Sequence, residues 1–303
     1  MSEAALPAPR ARARLRPDWP ALAPFLALAL LLVLGTALNA RFIYLDNLLN
    51  MASRSAFIAV IGIGATFVIA AGGLDLSVGA MAAFLGGVMI LLINAMHGAD
   101  PLMVVLAGSA AAVTAGAACG LGNGLVATLG RIEPFIVTLG TMGIFRALIT
   151  YLADGGSLTI GDRSLGALLR PVYFGAVADI PIPVLVFVVL AAVSALVLNR
   201  TPFGRHVVAT GASEDVARYT GIPVGRVRTV TYVIQGVCVG IATVLYVPRL
   251  SSATPSTGLL WELQAITAVV IGGTPLRGGT GRIWGTIAGA IILTVVGNIM
   301  VLS

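Results

Sequence analysis

Residues 55–95 read SAFIAVIGIGATFVIAAGGLDLSVGAMAAFLGGVMILLINA, and Asp75 is the only charged side chain among them. A helix needs about 20 apolar residues to cross about 30 Å of hydrocarbon, so this run holds two crossings and a divider. The divider is Gly72-Gly73-Leu74-Asp75-Leu76-Ser77-Val78-Gly79. Its glycines free the backbone to leave the helix, and Asp-x-Ser ahead of a new apolar run is N-cap chemistry.

The rest of the chain follows the same pattern. Of its 303 residues 58% are apolar and 10% charged, with a mean hydropathy of +1.02. Soluble domains carry about 25% charged residues, so most of this surface does not face water. Soluble enzymes, disordered chains and nucleic-acid binders are excluded on that ground. Further apolar runs cover about 20–40, 102–129, 134–153, 182–199, 229–248, 263–273 and 283–302, which with 55–71 and 78–95 makes nine candidate spans. The expected fold is an all-α polytopic membrane bundle with broken or short helices, in a single domain over 20–303 behind a tail at 1–19. The run 20–40 ends in Ala37-Leu38-Asn39-Ala40, a faint echo of a leader cleavage site. Its length and the spans that follow favour an uncleaved first helix. The run 263–273 is short unless its glycine-rich flank also enters the membrane.

All 18 basic residues are arginine. A phosphate-cradling G-x-x-x-x-G-K-[ST] loop needs a lysine, so any ATP hydrolysis belongs to another polypeptide. Cys119 and Cys238 lie in apolar runs and His97 and His206 stand far apart, a pattern that supports neither a disulfide framework nor a metal site. The arginines fall in short loops, as the positive-inside bias requires. With the N-terminus inside, the 1–19 tail, the segment after Gly72, the Arg131 turn, the 200–228 loop and the 274–282 turn are cytoplasmic. The 154–181 loop lies outside, its Arg163 and Arg170 facing Asp154, Asp162 and Asp179. Arg41, Arg54 and Arg249 also fall outside and count against this scheme, but the densest arginine cluster lands inside.

Asp75 has two readings: a cap for the next helix at the interface, or direct contact with a transported polar solute. Gly272-Gly273-x-x-Leu276-x-x-Gly279 repeats the spacing of Gly72-Gly73-x-x-Leu76-x-x-Gly79, and transporters often carry internal repeats with broken helices. Asn123, Thr138, Thr141, Arg146 and Gln264 are the other polar residues in apolar surroundings. Small hydroxyl residues in membrane helices either let helices pack closely or line a path. Arg146 lies about 18 Å along its helix from Pro134, within reach of the outer interface by snorkelling. Glu133-Pro134 suits a helix start.

The 200–228 loop is the one sizeable polar segment inside. Glu214 and Arg218 form an i,i+4 acid–base pair, Ser213 can cap a short helix that ends at Gly221, and Pro223 blocks continuation. Two readings stand: a dock for a soluble partner, or a solvated loop that only orients the chain.

Five stretches together resemble the permease subunits of bacterial ATP-binding-cassette importers for monosaccharides, the ribose-permease type. They are Gly72–Gly79, Asn123-Gly124, Pro134-Phe-Ile-Val-Thr-Leu-Gly-Thr141, the 201–223 loop, and Glu262-Leu263 through Thr274 with Gly278-Gly-Thr-Gly-Arg282. The resemblance spans about residues 42–300. It implies an inner-membrane subunit that pairs with a second permease subunit, a cytoplasmic ATPase and a periplasmic solute-binding protein, without a cofactor of its own. The 201–223 loop then carries the helix that couples to the ATPase, with Gly211 and Gly221 setting its ends, Glu214 and Arg218 holding its shape, and Ala217 as a further coupling position. Asp75, Ser77, Asn123, Thr138 and Thr141 are the pathway candidates, and 154–181 becomes a periplasmic loop. Two departures stand out: Gly211-Ala212-Ser213 replaces the usual Gly-Gly-Asn, and the family has ten helices against nine here. Branched-chain amino-acid permeases are the runner-up class, ahead of a secondary transporter; an intramembrane enzyme finds no paired carboxylates to work with.

Overall fold

The computed structural model describes residues 19–96 and 98–302; the rest of the expected tail and His97 lie outside them. Its helices are α1 (Trp19–Leu38), α2 (Leu45–Ala70), α3 (Val78–Ala95), α4 (Pro101–Leu129), α5 (Pro134–Leu152), α6 (Arg163–Phe174), α7 (Ile182–Arg200), α8 (Pro202–Ala212), α9 (Glu214–Tyr219), α10 (Val224–Leu250), α11 (Trp261–Ile271) and α12 (Ile283–Leu302). Among the described residues, strand is confined to two-residue pairs, Leu158–Thr159 with Ser252–Ala253 and Ala176–Val177 with Ile180–Pro181. Eight helices are long and apolar enough to cross a bilayer: α1, α2, α3, α4, α5, α7, α10 and α12. The expected all-α multi-pass bundle is what the chain forms.

α2 is the central helix. It is apolar on every side, as a helix surrounded by other helices must be, and Ile58 through Ala70 is buried without interruption. α12 packs beside it, and Thr66 and Thr286 join the two by a hydroxyl–hydroxyl bond of 2.8 Å. α4 and α10 meet along a seam of small residues. A Cβ at Gly116 would run into the Gly236 carbonyl, one at Gly120 into that of Tyr232, and one at Gly240 would lie 2.6 Å from the Val113 Cα. Without a hydrophobic drive between helices in lipid, such close backbone approach supplies the van der Waals contact that holds them together.

The loops sort into two ends. At one end, the Gly279 N–H donates to the Ala70 carbonyl at 3.0 Å, and Gly72, Arg131, Glu133, Glu214, Arg218 and Arg228 line a common polar recess of about 260 Å³. The four internal loops expected on one side are therefore together. At the other end, Asn94 bonds the Thr159 carbonyl at 2.9 Å, and Arg54, Tyr173, Pro181 and Arg249 surround one recess. Arg249, which counts against the charge rule, sits over the rings of Phe57 (5.7 Å) and Tyr173 (5.5 Å). Its charge is used in packing there. The 154–181 loop contains α6, which buries Leu165, Leu169 and Tyr173 on one face at helical spacing.

The ninth run forms α11, only 11 residues long, or about 16 Å. A non-helical stretch precedes it. Residues 252–260 run non-helically along α3, placing Ala253 beside Gly86 and Gly258 against Gly79. Ser251 (φ 54°) and Leu260 (φ 64°) bracket this stretch in left-handed conformations, which non-glycine residues rarely adopt.

The glycine echo also resolves. Gly72 and Gly273 share φ values of 81° and 86°, and Gly73 and Thr274 each bond back five residues, to Val68 and Val269. The two helix ends are alike with an offset of 201, one more than the offset at which their letters match. Like geometry recurs at both breaks, but the matched letters are not equivalent positions.

Candidate translocation pathway and docking helix

The break between α2 and α3 is held by its own polar residues. Asp75 Oδ1 accepts from the Ser77 N–H at 2.9 Å and from the Ser77 hydroxyl at 2.6 Å. Asn123 of α4 donates from Nδ2 to the Ser77 hydroxyl at 2.9 Å. Thr138 of α5 and Tyr232 of α10 both donate to the Leu74 carbonyl, at 3.4 and 3.0 Å. Asp75, Ser77, Asn123 and Thr138 are buried. Thr141, one turn beyond Thr138, is half-buried and bonds the Thr138 carbonyl at 3.3 Å. Asp75 and Ser77 of the break are thus joined by Asn123 of α4 and Thr138 of α5, whereas Thr141 bonds only within α5.

Asp75 acts as a cap through one of its two oxygens. Its Oδ1 fixes the N–H of Ser77, the residue before α3, as a cap does. It does so while buried among the helices. Its Oδ2 and the Asn123 Oδ1 are buried without a protein hydrogen-bond partner. An unsatisfied buried acceptor costs about 1–3 kcal/mol.

Arg146 is half-buried and bonds to another segment of the chain. Its Nη1 donates to the carbonyls of Pro255 and, at 2.7 Å, of Thr257. These carbonyls belong to the non-helical 252–260 stretch, where no helix satisfies them. That makes them nearer and better acceptors than interfacial water.

The 200–228 segment forms two helices where one short helix is expected. Thr201 caps α8 through the Gly204 N–H, and Ser213 caps α9 through the Val216 N–H. Gly211 lies in α8, two residues before that cap; it packs on the Ala70 carbonyl and does not set the start of α9. Gly221 (φ 81°) follows the far end, where Ile222 N–H bonds back to the Ala217 carbonyl at 3.0 Å. Ala217 is the buried anchor of α9, whereas Val216 and Tyr219 are 60% and 91% exposed. Glu214 holds Arg218 at 2.5 Å through Oε1 and Arg228 of α10 at 2.7 Å through Oε2. Partial burial raises the Glu214 carboxyl, but hydrogen bonds and charge from Arg218 and Arg228 outweigh it and hold the group below the usual glutamate range.

Arg228, Tyr232 and the Arg146 clamp are site residues that sequence reasoning missed. Arg228 is visible in sequence only as one member of an arginine cluster. Nothing in the sequence pairs Tyr232 with a carbonyl 158 positions away.

Broken helices converging on a buried polar segment, with a capped charged helix at one end, define a multi-pass membrane permease. The chain matches, over residues 47–302, the family described as branched-chain amino acid transport system / permease component. It is 38% identical over 278 residues to the ribose import permease protein of Bacillus subtilis, covering 91% of this chain and 84% of that one. It is 34% identical to the D-allose transport system permease protein of Escherichia coli (92% and 83% covered), and 34% identical to that organism's L-arabinose transport system permease protein (86% and 76%). No solved structure matches. The chain belongs to this family of importer permeases, among its sugar-transport members.

Proposed function

We propose that the chain is the membrane subunit of an ATP-binding-cassette importer that moves a monosaccharide across the bacterial inner membrane by alternating access. ATP is hydrolysed in a separate cytoplasmic subunit, and a periplasmic binding protein delivers the sugar to a pathway completed by a second permease subunit. The end that gathers Gly72, Arg131, α8–α9 and 274–282 faces the cytoplasm, as does the N-terminus; residues 154–181 face the periplasm.

The carrying observation is α9: a helix capped by Ser213, braced by two arginines, and presenting Val216 and Tyr219 to solvent beside the break that holds Asp75. Exposed apolar side chains on a fixed helix outside the lipid-facing spans suit a protein partner. Ala217 and Gly221 hold the helix in place, and Glu214 and Arg218 hold its shape. The buried acceptors on Asp75 and Asn123 support a hydroxyl-bearing cargo, and the sugar-transport relatives favour the same class over amino acids.

The test is Arg218→Glu in the assembled importer. It reverses the exposed member of the brace and leaves the Glu214–Arg228 pair in place. Sugar-stimulated ATP hydrolysis should fall at least fivefold while membrane insertion is unchanged; unaltered stimulation would sink the docking assignment.

A further inference from the structure

The docking helix and the solute-facing break are 130-odd positions apart in sequence, yet both are held by one turn of α10. Arg228 and Tyr232 stand four residues apart, on one face of that helix. Arg228 Nη2 reaches Glu214 Oε2 at 2.7 Å and lies 3.9 Å from where a Cβ on Gly72 would sit. Tyr232 is 1% exposed; its hydroxyl donates to the Leu74 carbonyl at 3.0 Å and lies 2.8 Å from a Cβ position on Gly73. Gly72, Gly73 and Leu74 lead directly into Asp75. The Leu74 carbonyl belongs to a stretch without helix, so its acceptor is free to be taken by a side chain from another element.

We propose that Arg228 and Tyr232 are the positioning residues that couple ATPase docking to the pathway: Arg228 takes hold of the docking helix through Glu214, and Tyr232 takes hold of the break through the Leu74 carbonyl. Movement of α9 relative to the bundle pulls on Glu214 and so on the first turns of α10. Tyr232, on those turns, carries the Leu74 carbonyl with it, and Asp75 and Ser77 shift against Asn123 and Thr138. This inference rests on the import reading and adds to it the two side chains that transmit the stroke. A merely structural tyrosine and arginine would affect stability and nothing else.

The experiment reads sugar moved per ATP hydrolysed in vesicles holding the complete importer with its cognate ATPase and binding protein. Wild-type vesicles that move no monosaccharide would overturn the import reading itself, whatever the variants do. Given wild-type transport, Tyr232→Phe keeps the ring and removes only the hydroxyl. Its ATP hydrolysis should stay within twofold of wild type while sugar per ATP falls at least fivefold. Arg228→Gln should lower the same ratio from the other end, and Arg228→Lys should restore most of it. A Tyr232→Phe importer with the wild-type ratio would overturn the link, as would hydrolysis and uptake falling in parallel with the yield of assembled complex. If Tyr232→Phe cannot be purified, the Arg228→Gln and Arg228→Lys pair decides alone: an unchanged ratio in Arg228→Gln overturns the proposal.

Discussion

Gly79 and Gly258 meet backbone to backbone: a Cβ on either one would run into the carbonyl of the other. Gly79 lies in the first turn of α3 and Gly258 in the 252–260 stretch, so both interruptions of the bundle come into contact at this point. Gly79→Ala and Gly258→Ala should each destabilise the protein by about 1–3 kcal/mol, the usual cost of overpacking, with Gly258→Ala at the upper end because of its φ of 72°. Thermal unfolding in detergent checks this. Gly122→Ala and Gly140→Ala, with nothing within 4 Å of the added methyl group, serve as controls and should leave the midpoint unchanged.

Arg146 fixes the same stretch from α5. Arg146→Met removes a charged donor from the Pro255 and Thr257 carbonyls, at a cost of about 1.5–3 kcal/mol for a charge-assisted bond. Amide exchange of residues 252–260 should speed up at least tenfold in this variant, and α2 should keep its protection. Uniform acceleration through the whole chain would instead mean global unfolding.

Capping and the proposed cargo contact fall on different oxygens of Asp75. Asp75→Asn retains an acceptor for the Ser77 N–H and removes the charge, so stability should hold within about 1 kcal/mol while uptake falls at least tenfold. Asp75→Ala removes the cap as well and should cost about 1–2 kcal/mol more. Paired melting and uptake measurements check both, and Asp75→Asn with full uptake would make the residue a cap alone.

Glu214 predicts a definite pH dependence. Its carboxyl is held below the usual range in the folded chain, so the folded state favours the ionised form more than the unfolded chain does. The resulting stabilisation is complete above the ordinary glutamate value of about 4.3 and is lost as pH falls through the depressed folded value. Wild type should therefore melt higher than Glu214→Gln by a constant margin from pH 8 to about pH 5, with the gap closing at lower pH. A gap that widens on acidification would contradict the Glu214–Arg218–Arg228 arrangement.

The crossings are legible in sequence because a long apolar run without charges has few soluble alternatives, and the loops that alternate crossings put on one side do gather at one end. The break at Gly72–Gly79 is legible for the same reason: a lone aspartate after two glycines stands out against 40 apolar neighbours. Local capping at Ser213 and Gly221 is readable from residue type, since partner and cap lie within one turn. What is not readable is tertiary pairing. Arg146 is placed at the surface by its distance along one helix, because the carbonyls that capture it arise from a stretch more than 100 positions away. Gly211 is assigned to a helix end when it is a point of close packing, and the glycine echo is aligned one residue out of step. Glycine alone does not tell a turn from a contact.

The α4–α10 seam bears on how such a molecule can move. α10 has 27 residues, about 40 Å of rod, and along much of that length it lies against α4 with no flexible side chain between the backbones. A rod so backed has almost no compliance of its own. Two of the non-helical stretches, 71–77 and 251–260, adjoin this rod, the first through the Tyr232–Leu74 bond and the second directly after Leu250. A tilt of α10 therefore bears on both at once.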